Sequence, residues 1–168
     1  MDLYNIFNDY VPKRPTIRST KGAVSTGHYL ATQAGSRILN QGGNAIDAGV
    51  ASGIALNVVF PQWTSFGGVA PIILYHAERD ETVTISGLGR WPSTASVEFF
   101  KQKHGNDLPE GVLRTVVPSA ADAWLTALEL YGTMSFEQTV TPALQLAESG
   151  FPVPNLLSQY IAEGLPWE

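Results

Sequence analysis

A mixed α/β fold is predicted, with strands set among helices, and three observations carry that prediction. Two runs of strand character, Pro71–His76 and Thr82–Ser86, flank a short polar segment, Ala77–Glu81, that fits a hairpin loop. Before the hairpin, Leu30, Ala34 and Ile38 with Ala31, Gly35 and Leu39 form two i, i+4 rows on one helical face. After it, Ser119 and Ser135 each open a helical segment. At 168 residues and 44% hydrophobic, the chain can bury one substantial core, and it shows no internal repeat or low-complexity tract.

The elements follow in order. Residues 1–21, polar and broken by Pro12 and Pro15, read as an extended N-terminal arm, and 22–168 as one continuous domain segment. Gly22–Thr26 has the composition of a short strand. A helix over Leu30–Gln41 stops at Gly42-Gly43, since glycine tolerates the left-handed conformation beyond a helix end. Asn44 is a good N-cap for a second helix, Ala45–Val58, and Asp47 in its first turn suits the positive helix end. Small residues crowd this helix, and apolar residues lie all round it, so it is expected to be central and buried. Gly49 and Gly53 cost helix propensity, which implies that other parts of the molecule approach closely there.

Pro61 ends the second helix, and Trp63–Gly68 is a glycine-containing loop. After the hairpin, Gly87–Pro92 is a turn, Ala95–His104 a helix, 105–111 a loop and Val112–Val117 a third strand region. Ser119 is expected to cap a helix to Tyr131. Ser135 caps another over Phe136–Glu148, with Gln138 completing a capping box. Pro154 opens a last short helix reaching about Ala162.

Composition excludes several function classes. The net charge is −5 and no basic run occurs, which argues against nucleic acid or an anionic membrane as partner. The absence of Cys excludes disulfides, thiolate metal sites and a cysteine nucleophile within this segment. The N-terminus lacks the basic and apolar regions of a signal peptide, so a cytoplasmic location is expected. Ala45–Phe60 is too short for a membrane span and is interrupted by Asp47, Ser52 and Asn57. Only 15% of residues are charged, which predicts faces buried against a partner or the rest of a longer polypeptide.

Local motifs leave the chemistry open. His28, His76 and His104 have no metal-ligand spacing, and no Gly-x-Ser-x-Gly elbow occurs. Gly42–Gly49 superficially suggests a dinucleotide loop, but it follows a helix and lacks the Gly-x-Gly-x-x-Gly order. Gly67-Gly68 is either a backbone cradle for an anion or, the favoured reading, a tight turn. Arg90 lies in a glycine-flanked turn after a strand. It is either a fork for a substrate carboxylate or a surface arginine stacked on Trp91.

Longer stretches carry a resemblance. Gly22–Gly35, then Ile38-Leu39-Asn40-Gln41-Gly42-Gly43-Asn44-Ala45-Ile46-Asp47-Ala48, then Pro61–Tyr75, then Val117-Pro118 with Tyr131-Gly132 and Thr141–Val153 resemble the gamma-glutamyltransferase family in order and spacing. The second stretch is the most specific and is similar to the family's "IL-x-x-GGNA-V-DA" signature. The resemblance implies the N-terminal portion of a four-layer αββα sandwich of the N-terminal-nucleophile (Ntn) hydrolases. It implies a precursor that cuts itself before an internal Thr, whose new α-amine serves as base for its hydroxyl. That Thr is expected outside this segment, so no residue here is assigned as catalytic and the segment alone is expected to be inactive. The implied partners are the remainder of its own precursor, the small subunit with the catalytic Thr, and a small-molecule amide substrate. No cofactor and no metal are implied.

Two departures from the family pattern bear on substrate. Glutamyl-handling members bind the substrate's α-carboxylate with an Arg in the turn before an "AP" dipeptide. Alignment on Pro92 puts Leu88 at that position, and Arg90 follows two residues later as the candidate substrate-binding residue. The glycine-rich turn reads Ser65-Phe66-Gly67-Gly68-Val69, where the family usually has three glycines. Both changes resemble the acylase and small-amide-hydrolase branch. The expected activity is γ-glutamyl transfer or glutathione hydrolysis. The alternatives are the same chemistry on another small amide, or a non-enzymatic truncated structural subunit.

Overall fold

The computed structural model describes residues 16–105 and 107–164. In chain order these form α1 (Tyr29–Asn40), α2 (Ala45–Val59), β1 (Ile72–His76), β2 (Glu81–Ile85), α3 (Val97–His104), a 3-10 turn at Val112–Arg114, α4 (Ala120–Tyr131), α5 (Phe136–Ser149) and α6 (Asn155–Ala162). The mixed helix-and-sheet class holds. Most of the expected N-terminal arm, residues 1–15, lies outside the described residues, and 16–21 form neither helix nor strand.

Helix α2 is the organising element. Helices α1, α4 and α5 all pack on it, and Ala48, Val50, Ala51, Ile54, Ala55 and Val59 are buried. Fully burying a side chain such as Ile54 or Val59 contributes roughly 1.5–3 kcal/mol relative to leaving it exposed. Small residues set how closely α1 approaches. A Cβ on Gly35 would meet the Ser52 hydroxyl and lie 2.9 Å from the Ala48 carbonyl oxygen. Gly53 is likewise spent on contact, since its Cβ would lie 3.1 Å from the Trp124 indole nitrogen. Gly49 departs from the sequence expectation. It is exposed, and apart from its own stretch of helix no described residue lies within 4 Å of where its Cβ would be.

The two strands pair antiparallel in the register Ile72↔Ile85 to His76↔Glu81. On one face Ile72 and Ile85 pack against the α2–α4 core, and Leu74 is buried. On the other face Ile73 and Tyr75 are 74% and 62% exposed, so this face meets no other described element. No helix among the described residues is long and apolar enough to cross a membrane.

Three local expectations are corrected. Gly22–Thr26 forms no strand. It finds no ladder partner among the described residues, and Val24 packs instead against the Ile38, Ala48 and Ala51 cluster. Val112–Val117 forms a 3-10 turn and then extended chain without a ladder. Arg114 winds this segment locally by donating twice to the Leu108 carbonyl, at 2.9 and 2.7 Å. Ser119 occupies the N-cap position of α4, but its side chain makes no capping bond. The Gly68 carbonyl takes that role, accepting from the Ser119 and Ala120 N–H groups at 3.2 Å. The expected capping box of α5, Ser135 with Gln138, is present.

Candidate functional site

Two places concentrate the residues singled out in the sequence. The first is the junction at the start of α2. Gly42, at φ 95°, closes α1, and the N–H groups of Gly42 and Gly43 bond back to Leu39 and Ile38. These donors are therefore spent, and the glycine pair offers no cradle to a dinucleotide. Gly43 admits no side chain, because a Cβ there would lie 2.7 Å from Ile38 Cγ2 and 2.9 Å from Met134 Sδ.

Asn44 and Asp47 then tie α2 to the α4–α5 connection. Asn44 Oδ1 accepts from the Ile46 and Asp47 N–H groups at 2.8 and 3.0 Å, and its Nδ2 donates to the Tyr131 carbonyl at 2.6 Å. Asp47 is fully buried. Its carboxylate accepts from the backbone of Asn44 at 2.8 Å, of Thr133 at 3.0 Å and of Met134 at 3.2 Å, and from the Thr133 hydroxyl at 2.6 Å. A carboxylate so fully used as an acceptor is committed to holding these backbone groups together. The most specific motif of the chain is thus a structural clamp.

The second place is a cluster of three loops. Ala70 N–H donates to the Gly87 carbonyl at 2.9 Å, Val117 N–H to the Arg90 carbonyl at 3.3 Å, and the start of α4 to Gly68. Gly68 N–H itself bonds to the Ser65 carbonyl at 3.1 Å, so Gly67-Gly68 is a tight turn here. Glycines make the convergence sterically feasible. A Cβ on Gly87, at φ 54°, would strike the Ala70 carbonyl, and one on Gly89 would fall on the Val117 carbonyl oxygen. Gly87 is buried and Gly89 half-buried, while Leu88 and Arg90 between and beyond them are exposed. The cluster thus draws the Arg90 turn and the glycine-rich turn together.

Trp91 packs its ring on Phe100, with centroids 5.3 Å apart. The Arg90 backbone is tied to Val117. Among the described residues the ion pairs are Arg79–Glu81 and Arg114–Glu110, and neither engages the Arg90 guanidinium.

Beside the cluster lies a cavity of about 540 Å³ between the C-terminal end of α2, the Trp63–Gly68 turn and Trp124. Asn57 and Gln62 border it, and their buried amide atoms, Asn57 Nδ2 and both Gln62 ends, have no hydrogen-bond partner. Sequence reasoning missed both residues as site candidates. Asn57 registered only as a polar break in an apolar run, although a polar residue in such a run is itself the signal to ask what it bonds.

The histidines are dispersed. His28 N-caps α1 by accepting the Leu30 N–H on Nδ1 at 3.3 Å, and burial pushes its pKa below the ordinary histidine value. His76 ends β1, edge-on to Tyr131, and His104 ends α3. No group of three or more His, Cys, Asp or Glu among the described residues could hold a metal ion.

With this geometry in hand, comparison with known proteins is informative. Residues 31–166 match the model of the gamma-glutamyltranspeptidase family. The chain is 36% identical over 147 residues to the glutathione hydrolase proenzyme of Bacillus subtilis, covering 84% of this chain and 25% of that protein. It is 35% identical over 167 residues to the acylase ACY 1 proenzyme of a Pseudomonas species, covering 92% of this chain and 29% of that protein. Among solved structures, the Helicobacter pylori gamma-glutamyltranspeptidase superposes with a TM-score of 0.77 at 33% identity, covering 89% of this chain and 44% of that one. The chain thus spans little more than a quarter of the length of these curated relatives.

Proposed function

The chain belongs to the gamma-glutamyltranspeptidase family, and from that premise we propose that it is the large-subunit part of a self-cleaving Ntn amidohydrolase. The observation that carries this reading is the match over 31–166 to a family whose matched relatives are proenzymes. In the proposed reaction, an N-terminal Thr supplied by the remainder of the precursor attacks an amide carbonyl carbon. Its α-amine takes the hydroxyl proton and returns it to the leaving nitrogen. An ester-linked acyl-enzyme results, and water or an amine then takes up the acyl group. This chain contributes no reacting atom. It contributes the scaffold held by Asn44 and Asp47 and the loop cluster that meets the substrate.

Arg90 is proposed to hold the substrate's carboxylate. Its backbone is fixed by Val117 while its side chain is exposed. A charge-assisted fork of this kind contributes on the order of 1.5–3 kcal/mol, so Arg90→Ala should lower kcat/KM by about tenfold to a hundredfold. Lys should rescue only in part, because an ammonium cannot form the planar fork. The test is the kinetics of Arg90→Ala and Arg90→Lys in the self-cleaved precursor, on an acyl substrate with and without its carboxylate. Equal slowing of both substrates, or of neither, would make Arg90 structural.

A γ-glutamyl acyl group with glutathione hydrolysis is the default substrate reading. One observation favours a second, an acylase acting on another small amide. Leu88, at the position where the resemblance places arginine, is 57% exposed and presents a large apolar side chain on the cluster. Comparing γ-glutamyl anilide with an apolar acyl anilide on the same enzyme decides between them.

A further inference from the structure

The cavity of about 540 Å³ beside the loop cluster is large enough for a small molecule. Two amides form its polar edge. Asn57 sits on the last turn of α2, and Gln62 follows two residues after that helix's C-cap, Phe60. The backbone around Gln62 is fixed, because the Phe60 carbonyl accepts from the Trp63 and Thr64 N–H groups, each at 3.2 Å. The Thr64 hydroxyl donates to the same carbonyl at 3.1 Å and is thereby used. Asn57 Nδ2, Gln62 Nε2 and Gln62 Oε1 are buried and have no hydrogen-bond partner among the described residues. Two donors and one acceptor therefore stand on rigid backbone at one cavity, unused by the fold. Buried polar groups are costly without partners, so what they bond is a question the structure poses directly.

The rest of the wall narrows the ligand chemistry. Among the described residues that border the cavity, none is charged. Leu56, Val69 and the rings of Trp63 and Trp124 supply its apolar surface. Phe66 packs edge-on against Trp124, with ring centroids 5.4 Å apart, and steadies that ring. A carboxylate has only acceptors. It would leave Gln62 Oε1 unpaired and lose its hydration with no cation to offset the loss. An ammonium has only donors and would leave Asn57 Nδ2 and Gln62 Nε2 unpaired. A neutral amide carries both kinds of group. Its carbonyl oxygen has two lone pairs and accepts from Asn57 Nδ2 and Gln62 Nε2, while its N–H donates to Gln62 Oε1. The flat indole faces suit the apolar body of such a ligand.

We infer that Asn57 and Gln62 form a specificity subsite for a neutral amide of the substrate, distinct from the amide that is cleaved and joined to an apolar body. This rests on the proposed reading of the chain as part of an amidohydrolase. Gly68 and Ala70 border the cavity and also tie the loop cluster to α4 and to Gly87. Arg90 stands on that cluster without bordering the cavity. The two places divide the substrate between them, a charged end at Arg90 and a neutral end at Asn57 and Gln62.

Phenylacetamide and phenylacetate, which share one apolar body, test the assignment on the self-cleaved precursor. Calorimetric titration should show phenylacetamide binding, and the ligand should compete with an acyl anilide in the hydrolysis assay. Gln62→Met and Asn57→Leu keep the side-chain volume and remove the unpaired groups. Each should weaken phenylacetamide binding by at least about tenfold and leave phenylacetate binding unchanged. Their urea midpoints should stay at or above that of wild type, because no bond within the protein is lost. The assignment is overturned if phenylacetamide gives no binding, if it inhibits without competing, or if either variant binds it as wild type does. Lower urea midpoints in both variants also overturn it, since the amides are then bonded within the precursor and hold its structure. Hydrolysis separates the two readings. Anilide turnover without phenylacetamide binding removes the subsite alone. Binding that Gln62→Met abolishes, in a precursor that hydrolyses no amide, removes the proposed activity and leaves the cavity as an amide-binding site.

Discussion

At the Asn44–Asp47 junction, the buried Asp47 carboxylate and the half-buried Asn44 carboxamide have found partners on α2, at the end of α4 and on the α4–α5 connection. In the loop cluster only the backbone is tied, while Leu88 and Arg90 are exposed and the neighbouring Asn57 Nδ2 and Gln62 amide lack partners. The difference separates two kinds of motif. A stretch dense in recognisable signature residues can be wholly consumed in holding the fold. Side chains that the fold leaves unspent are instead the candidates for meeting other molecules.

The sharpest way to break this comparison is to remove the clamp. Asp47→Ala leaves the part-buried backbone N–H groups of Asn44, Thr133 and Met134 without their acceptor. A hydrogen bond to a charged group contributes about 1.5–3 kcal/mol, so the total loss should reach about 3 kcal/mol. Urea denaturation of the chain reads this directly. A loss under about 1 kcal/mol would place Asp47 among the unspent residues after all.

A second contrast lies within α2. Gly53→Leu drives a side chain into Trp124 and should destabilise by about 1–3 kcal/mol. Gly49→Leu, with open space above it, should be neutral or stabilising by up to about 1 kcal/mol in the 168-residue chain, since leucine is the better helix former. Thermal unfolding of the two variants side by side checks this, and equal losses would remove the distinction between the filled and open faces of α2.

Helix caps give the smallest contrast. Ser135→Ala breaks a capping box and should cost about 1 kcal/mol. Ser119→Ala removes no capping bond, because Gly68 supplies the acceptor, and should stay within about 0.5 kcal/mol. A larger loss at Ser119 than at Ser135 would reverse the assignment of caps.

Much of this was legible in the chain itself. Periodicity and capping signals found α1, α2, α4 and α5 to within about a residue or two, because helices are stabilised by neighbours in sequence. The hairpin was legible because its two strands pair with each other. The apparent strands at Gly22–Thr26 and Val112–Val117 failed for the converse reason. Strand character is realised only where a partner exists, and nothing local announces one. The cap on α4 comes from Gly68, far off in sequence, so a serine in the right place was misleading. The candidate site was legible in part. Its glycines and Arg90 stand out in the chain, but the cavity with Asn57 and Gln62 arises only when the end of α2 meets Trp124.

The central claim is that Asp47 holds the scaffold and never meets the substrate. Its most direct test is kcat/KM of the self-cleaved Asp47→Asn precursor, divided by its folded fraction at the assay temperature. A carboxamide keeps the shape and one acceptor oxygen but loses charge-assisted bonds, so stability should fall by about 1–3 kcal/mol. Per folded molecule, kcat/KM should remain within about threefold of wild type, since uniform loss of folded enzyme leaves transition-state binding unchanged. A drop of about a hundredfold in fully folded enzyme would mean that Asp47 acts on the reacting groups, and would contradict the account.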